Sequence, residues 1–531
     1  MTIRKGIRIP DTATDITDTA TATGNTTTVR HNRETLTFTA KEWLWPLAYL
    51  LCLVSVGLQF PPGYLFVLLI LYNRFRKDRY DFTIMLTLLI GGYGFTNYSS
   101  FHGLPMFYIS LGLSVIGLII MKKPPIVKKA IMAWALYSLA LLIFAYISEE
   151  RFFIQLPTII NYALFIYFIV PLMIFSGHEF DIQIFFRRLF PYAIISCAFY
   201  ILDGFIINGH TLVPCVFMAW ERQPLFYDPY ILPFGYFPRI YPPGLYILVL
   251  CVFPLARYYK LRLWHIILIL GAFAATRTFT VISGLVVSYI LFQAEKKRLV
   301  KYLIGGLLGL TALYFIDGAM PQHGGNERES FLRIKSSVDQ IINLQAVEDD
   351  KDFSETGSGR MAQALPKLEL LYSMDKEWTG FGFLDRFNNT VKKYVIENEY
   401  YDNPEETIEV ATNIEVSVLQ VFITIGYIGL AIHIIFFLYL YYIERKLRYS
   451  AYFGSVLFIY AWFGIGGFEG WITMRSLMMI GLAFSAVLLA NRDVLSKHRR
   501  RISLDNKRPA AEIVREAIPE SKDQPDKIDN C

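Results

Sequence analysis

The sequence is poor in the residues that build disulfide frameworks and transition-metal sites. Its 531 residues include five cysteines and eight histidines. Three cysteines lie within apolar segments and Cys215 stands alone in a loop, so no disulfide framework is expected. The histidines form no HxxxH or HExxH pair. We therefore expect neither a bound metal nor a cofactor.

The chain also has no apolar segment directly after its first basic residues, so no cleavable signal peptide is expected. Residues 1–42 are rich in threonine and nearly free of large apolar side chains, which predicts a disordered cytoplasmic tail. A second disordered tail is predicted at 491–531, where charged residues and proline are frequent. We expect no nucleic-acid partner.

Between these tails the chain is strongly apolar, with 54% hydrophobic residues overall and a mean hydropathy of +0.38. A soluble protein of this length would have far fewer apolar runs of spanning length. The expected fold is an all-α polytopic membrane protein with about 14 transmembrane helices. The predicted spans are 43–60, 62–73, 82–99, 104–121, 129–147, 156–176, 188–206, 243–258, 262–275, 279–294, 300–316, 415–441, 451–464 and 471–490. Two of them are short and could be broken or half-buried helices, at 62–73 and 262–275.

Basic residues cluster after alternate predicted spans, and the connections between these clusters are poor in lysine and arginine. The positive-inside rule then places both termini in the cytoplasm and two loops outside, 207–242 and 317–414. We interpret the basic clusters as orientation signals only. They are Arg74 to Lys77, Lys122 to Lys129, Arg187-Arg188, Arg257 to Arg262, Lys296 to Arg298, Arg445-Lys446 and Lys497 to Arg501.

The loop 317–414 separates two membrane regions, 43–316 and 415–490, and is acidic: nineteen Asp and Glu residues against ten Lys and Arg up to Ala411. Loops of this length in compact proteins usually carry function. Apolar spacing predicts an amphipathic helix from Glu329 to Leu344 and a second helix from Arg360 to Met374. A flexible Gly357-Ser358-Gly359 separates them, and Gly380 and Gly382 would allow tight turns or close backbone approach.

Several short motifs follow one another between roughly 235 and 490. They are Arg239 before Pro242-Pro243-Gly244, Arg277 in Ala275-Thr276-Arg277-Thr278, Gly359-Arg360, Trp378, Gly380-Phe381-Gly382, Leu419-Gln420 and Gly426-Tyr427-Ile428-Gly429. In this order they resemble the O-antigen polymerase/ligase superfamily of bacterial membrane glycosyltransferases, which are GT-C-type enzymes. In that family the loop runs from a Gly-Arg pair through a helix to Gly-x-Gly, and a membrane helix with His-Asn-x-x-Leu-Gln and then Gly-x-x-Gly follows. Glu415 occupies the position of the family histidine.

The resemblance implies an enzyme that polymerises polyprenyl-diphosphate-linked oligosaccharide repeat units into O-antigen, capsule or exopolysaccharide on the outer face of the bacterial inner membrane. Arginine suits a diphosphate leaving group because its planar fork makes bidentate contacts. The expected catalytic residues are Glu415, Arg277 and Arg360, and the expected substrate-binding residues are Arg239, Arg277, Arg360 and Trp378. The expected partners are the lipid-linked oligosaccharide, the bilayer, a chain-length regulator and a flippase.

Other interpretations stay open. The protein could be a ligase of the same superfamily, a lipid-linked oligosaccharide flippase or other transporter, or a structural or sensory membrane protein. Arg277 could be a snorkelling residue, Arg239 an ion-pair partner of Asp228, Arg360 a solvated charge, and Glu415 an ordinary interfacial residue. A transporter would be expected to show internal repeats, and we find none in the sequence.

Overall fold

A computed structural model describes the chain in segments with gaps between them. These segments are 34–57, 61–90, 100–101, 104–105, 116, 119, 125–148, 169–175, 178–204, 206–207, 210–211, 230–232, 235–237, 244–276, 279–293, 299–319, 334–335, 338, 357–382, 393–394, 396–397, 416–466 and 474–491.

The described segments are mostly helical, in agreement with the predicted all-α fold. The helices are α1 (Ala40–Gly57), α2 (Pro61–Lys77), α3 (Arg79–Ile90), α4 (Pro125–Ser148), α5 (Ile169–Ile174), α6 (Ile182–Gly204), α7 (Gly244–Tyr258), α8 (Leu263–Thr276), α9 (Phe279–Gln293), α10 (Leu299–Ala319), α11 (Gly357–Ser373), α12 (Ser417–Glu444), α13 (Ser450–Gly466) and α14 (Met474–Ala490).

Within the described segments, six short strands form two small antiparallel sheets that the all-α prediction did not include. Strands β1 (Ser100–Phe101) and β2 (Leu104–Pro105) pair as a hairpin. Strands β3 (Ile206–Ile207), β4 (His210–Thr211), β5 (Tyr230–Leu232) and β6 (Gly235–Phe237) form a sheet in the order β4-β3-β6-β5. The second sheet lies in the predicted outer loop 207–242. Strands this short carry too few residues for a period-2 pattern to be recognised.

Three described helices are long and apolar enough to cross a membrane: Ile126–Phe144, Ile182–Phe199 and Ser417–Glu444. They lie within α4, α6 and α12. Shorter apolar helices account for further predicted spans, among them α7, α8, α9, α10, α13 and α14. The span predicted at 104–121 was wrong at its start, because Leu104 and Pro105 belong to β2.

The core of the helical body is built around α6, which packs against α1, α7 and α8. Aromatic side chains fill the interior between these helices. Phe190 and Tyr192 of α6 are fully buried, and the Phe186 ring meets the Tyr452 ring of α13 edge-on at 4.9 Å. Tyr452 also donates its hydroxyl to the Leu250 carbonyl of α7. Tyr452 therefore combines large apolar contact with a satisfied polar group, whereas the buried Tyr192 hydroxyl has no hydrogen-bond partner in the described part of the chain.

The end of the body that carries the basic clusters is held by ion pairs. Arg188 bridges Glu42 at 3.7 Å and Asp78 at 3.2 Å, and Arg187 contacts Glu42 at 3.2 Å. Arg74 approaches Asp81 at 3.6 Å. These contacts connect the starts of α1, α3 and α6. Three arginines that we interpreted as orientation signals only therefore also pair with carboxylates.

The last residues of the predicted N-terminal tail are ordered. Leu36 is fully buried and its N–H donates to the Lys260 carbonyl at 2.9 Å. Thr39 precedes α1, and its N–H donates to the Glu42 carboxylate at 2.8 Å, as in a capping box. At the end of α14, the Asn491 side chain accepts from Arg448 N–H and donates to Arg448 C=O.

Candidate functional site

Helix α12 is interrupted at Gly426. This residue has φ 65° and ψ −172°, while the chain on both sides is helical. A left-handed φ of this kind is open to glycine at little cost. In an unbroken helix the Tyr427 and Ile428 N–H groups would donate to the carbonyls of Ile423 and Thr424. The break leaves these two donors and two acceptors in need of other partners.

The partners come from the turn 376–382, which follows α11 in the polar loop. The Phe381 and Gly382 N–H groups donate to the Ile423 and Thr424 carbonyls, each at 2.9 Å. In return, Tyr427 N–H donates to the Glu377 carbonyl at 2.9 Å and Ile428 N–H to the Trp378 carbonyl at 3.3 Å.

Four backbone hydrogen bonds thus replace the two that the break removes from α12. Buried backbone polar groups are nearly always hydrogen-bonded, and the docked turn supplies the partners that the break removes. The loop and the membrane helix are therefore joined through backbone atoms, which fixes their relative position closely.

Two glycines face each other across this junction. A Cβ on Gly380 would lie 2.4 Å from the Thr424 backbone, and one on Gly426 would lie 2.4 Å from the Trp378 backbone. Both residues have positive φ, as does Gly382. The prediction that Gly380 and Gly382 allow tight turns or close backbone approach is confirmed. The structure adds the partner: the Gly-x-Gly of the loop packs on the helix break that opens Gly-x-x-Gly.

Aromatic side chains cover the junction on its exposed side. The Tyr372 and Tyr427 hydroxyls share a hydrogen bond of 2.5 Å. The Trp378 and Tyr427 rings meet edge-on with their centres 5.7 Å apart. The centres of the Phe422 and Tyr427 rings are 4.5 Å apart. Trp378, a predicted substrate-binding residue, is largely exposed. Its ring is therefore free to contact a molecule that approaches the junction from outside.

A carboxylate lies in the same turn. The Glu377 backbone carbonyl accepts the hydrogen bond from Tyr427 N–H. The side-chain oxygen Oε2 of Glu377 is buried without a hydrogen-bond partner in the described part of the chain. An enclosed carboxylate oxygen favours any donor that can reach it, because burial without a partner is costly. Sequence reasoning did not select Glu377, since one acid among many in an acidic loop carries no distinguishing pattern.

Helix α11 contributes a buried lysine that the sequence analysis also missed. Lys367 is fully buried on a helix that belongs to a polar loop. It shares the inner face of α11 with Ala364 and Leu371, which lie three and four residues away and are themselves fully buried. Burial lowers the pKa of Lys367 to about 7, because a low-dielectric environment disfavours the ammonium form. An amine titrating near neutrality can accept a proton.

The signal for Lys367 was present in the spacing. Leu371 packs against Phe422 and Ile423 of α12, so this face of α11 is the one turned toward the membrane helix. A lysine four residues before Leu371 falls on that face by helical period. The predicted helix from Arg360 to Met374 begins earlier, at Gly357, so the glycines expected to be flexible form its first turn.

Only two of the five predicted site residues lie in described segments. Arg360 belongs to α11, seven residues before Lys367 in the chain. Trp378 lies in the docked turn. Arg239, Arg277 and Glu415 lie outside the described residues.

A buried histidine lies further along α12, away from the junction. His433 Nδ1 is 2.8 Å from the Tyr137 hydroxyl of α4, and its Nε2 is 3.0 Å from the Tyr460 hydroxyl of α13. Both ring nitrogens therefore have a tyrosine hydroxyl as a hydrogen-bond partner. This arrangement ties three helices together in the interior, where a satisfied polar group specifies their packing. Sequence reasoning gave His433 no role.

Within the described segments, no three side chains of His, Cys, Asp or Glu come together as metal ligands would. No protein-family model matches the chain, and no curated protein is significantly similar to it. The case for the site therefore rests on its geometry and on the motifs quoted from the sequence.

Proposed function

We propose that the protein is a membrane glycosyltransferase that polymerises polyprenyl-diphosphate-linked oligosaccharide repeat units into a cell-envelope polysaccharide. The observation that carries the proposal is the docking of the turn 376–382 into the break of α12. It joins the two glycine motifs on which the family resemblance depends. A loop fixed in this way to a membrane helix can hold polar groups beside a substrate anchored in the same membrane.

The proposed topology follows the charge pattern. About fourteen helices cross the bacterial inner membrane, both termini are cytoplasmic, and the loop 317–414 lies outside. In this arrangement the junction lies at the outer face and the ion pairs of Glu42 and Arg188 at the cytoplasmic face. The outer face is where a lipid-linked repeat unit would present its sugars.

The proposed reaction is displacement at the anomeric carbon of the donor glycan. A hydroxyl of the acceptor sugar forms the new C–O bond, and the bond from the anomeric carbon to the diphosphate oxygen breaks. The lipid diphosphate leaves with the electron pair, and the hydroxyl proton passes to a base. The active site therefore needs cations that bind the diphosphate and a group that accepts the proton of the hydroxyl.

We assign the diphosphate to Arg239, Arg277 and Arg360. Arg277 is supported by its place in the sequence, since it follows one short apolar run and precedes another. A cation held there has no long loop to carry it into bulk water, so an anionic partner offsets its cost. Arg360 is supported by its place in α11, the helix that leads into the docked turn.

We assign the role of base to Glu415, with Lys367 as the second candidate. Glu415 lies two residues before α12, in the connection that leads into the helix on which the turn docks. Lys367 is supported by its burial on the face of α11 turned toward α12 and by its pKa of about 7. Trp378 is assigned to contact with a sugar ring.

The glycans of cells with and without the gene test the proposal. Loss of the protein should leave envelope glycans that carry a single repeat unit, while an intact ladder of lengths appears in the parent strain. A plasmid copy should restore the ladder, and a copy with Glu415→Gln should not. An unchanged ladder in the deletion strain would rule out polymerisation, and a loss of all repeats from the final acceptor would indicate a ligase.

A further inference from the structure

The exposed residues of α12 begin at the break. None of the ten residues from Ser417 to Gly426 is exposed. Beyond Gly426 exposed residues recur every three or four positions, which puts them on one face of the helix. They are Tyr427, Ile428, Ala431, Ile434, Ile435, Leu438, Tyr439, Tyr441 and Tyr442. The helix therefore has an enclosed first part and an apolar exposed stripe along the rest.

The stripe has the length of a bilayer interior. The stripe from Tyr427 to Tyr442 rises about 23 Å, and Arg445 follows about 27 Å from Tyr427, close to the hydrocarbon thickness of about 30 Å. Tyrosines stand at both ends, and the Arg445 guanidinium lies 4.1 Å from the centre of the Tyr442 ring. Aromatic residues flanked by arginine are typical of the boundary between hydrocarbon and headgroups. The whole of α12, with 28 residues, would be about 42 Å long and exceeds this thickness.

The end of α11 and the docked turn after it extend the stripe sideways at Tyr427, the first residue of the stripe. Four uncharged side chains form what we term the aromatic edge: Trp378, Tyr372, Met374 and Tyr427, with 58%, 48%, 46% and 44% of their surface exposed. Three of them are in contact, because Tyr427 contacts both the Trp378 ring and the Tyr372 hydroxyl, and Met374 follows Tyr372 by two residues. Tryptophan and tyrosine with one polar end prefer the headgroup level of a membrane.

We infer that the aromatic edge lies in the outer headgroup layer of a phospholipid bilayer and that the hydrocarbon boundary crosses α12 at Gly426. The lipid surface is favoured over other occupants by continuity, since the edge begins where the lipid-length stripe ends. It is also favoured by the lack of formal charge on the four side chains. The turn is then an interfacial wedge, held by the helix break and seated among lipid headgroups.

This placement sets the depth of the candidate site. The nine residues from Ser417 to Ile425 rise about 13 Å, so the start of α12 stands that far above the hydrocarbon boundary. The four backbone hydrogen bonds of the junction lie at the boundary itself. The inference needs a membrane, and it does not depend on glycosyl transfer, so the two can fail separately.

Site-directed spin labelling of the full-length protein tests the depth. The chain, with its native cysteines replaced, is labelled singly at position 374, 378, 435 or 393 and placed in vesicles of phosphatidylethanolamine and phosphatidylglycerol. Ile435 lies mid-stripe and serves as the hydrocarbon reference, and Lys393, highly exposed in the polar loop, serves as the water reference. Accessibility to oxygen is compared with accessibility to a water-soluble nickel chelate.

The ratio of oxygen to nickel accessibility at 374 and 378 should fall between the two reference values. A ratio equal to that at 393 would place the turn in water and overturn the inference. It would also be overturned if nickel reached both positions in vesicles and was excluded only after a lipid-linked oligosaccharide was added, because the edge would then be a glycan surface. Position 372 serves as a replacement where a label at 378 prevents folding, as judged by elution and thermal midpoint.

Discussion

At the scale of single residues, Lys367 is the group whose charge state is most strongly set by the fold. Its pKa falls from 10.5 to about 7 because the helix face that carries it is buried. Between these two values the unfolded chain binds more protons than the folded chain. The stability of the protein should therefore rise with pH from about 7 to about 10.5, and this contribution is flat below pH 7.

Replacing Lys367 by methionine should remove that dependence. The variant keeps the apolar stem, so at pH 7 it should be more stable than wild type by up to a few kcal/mol. The gap between the two thermal midpoints should shrink as the pH approaches 10. Lys393→Met, at an exposed position, is the control and should show no pH-dependent gap. A gap that stays constant with pH, or a less stable Lys367→Met variant at pH 7, would contradict the account.

The choice between Glu415 and Lys367 as base is a second residue-scale question. If Glu415 takes the proton, Glu415→Gln should cut turnover by about a hundredfold or more while donor binding persists. In that case the rate should rise through the acid range where carboxylates titrate. If Lys367 takes the proton, the wild-type rate should rise as the pH passes through about 7. The Lys367→Met variant should then lose activity.

The control for both variants is donor binding by the purified protein. Near-normal turnover in both Glu415→Gln and Lys367→Met, at equal protein level, would remove proton transfer by either residue from the mechanism.

At the scale of elements, the junction between the docked turn and α12 depends on three glycines with positive φ. Gly380→Ala and Gly426→Ala would each place a Cβ 2.4 Å from backbone atoms of the opposite element. Each should cost more than about 2 kcal/mol, from the unfavourable φ and the overlap together, and should abolish activity.

Gly309→Ala is the matched control for these variants. Gly309 lies in α10, and a Cβ there would meet no atom within 4 Å. Its substitution should leave stability unchanged or raise it slightly, since alanine favours helix. Thermal unfolding of the three purified variants gives the comparison. Equal midpoints for Gly426→Ala, Gly380→Ala and Gly309→Ala would show that the turn does not dock into the break.

The sequence analysis predicted the helices and the special role of Gly380 and Gly382, because apolar periodicity and glycine spacing are local features. It did not predict that the loop turn would dock at Gly426. Backbone hydrogen bonds between segments far apart in the chain leave no residue-specific pattern. The break itself was also hidden, since an isolated glycine in an apolar run is compatible with an intact helix. The short strands from Ile206 to Phe237 were not predicted, because two or three residues are too few to show the alternating pattern of a β-strand.

At the scale of the whole molecule, the basic clusters predict orientation, and the structure shows that some of them also hold helices together. Arg188 pairs with Glu42 and Asp78 at the starts of α1 and α3. These acids reduce the net positive charge at that end. Orientation signals and structural ion pairs thus occupy the same connections, so the topology needs a direct test.

Cysteine labelling supplies that test. In intact spheroplasts, a cysteine at position 325 should react with a membrane-impermeant maleimide, and one at position 496 should react only after lysis. The first position lies in the acidic loop and the second follows the last helix. Reaction of 496 and protection of 325 in intact cells would reverse the proposed orientation and place the loop away from any outward-facing lipid-linked sugar.

The central claim is that this chain joins lipid-linked repeat units, with Arg277 binding the departing diphosphate. The direct measurement is product length, after the purified protein in vesicles is given a lipid-linked repeat unit. Wild type and the control Lys393→Ala should produce a ladder of multiple repeats. Arg277→Lys should lose most of the ladder because it keeps the charge without the bidentate fork, and Arg277→Ala should lose more. A folded wild-type protein that leaves the repeat unit unchanged would contradict the polymerase assignment, and a full ladder from Arg277→Ala would contradict the diphosphate role.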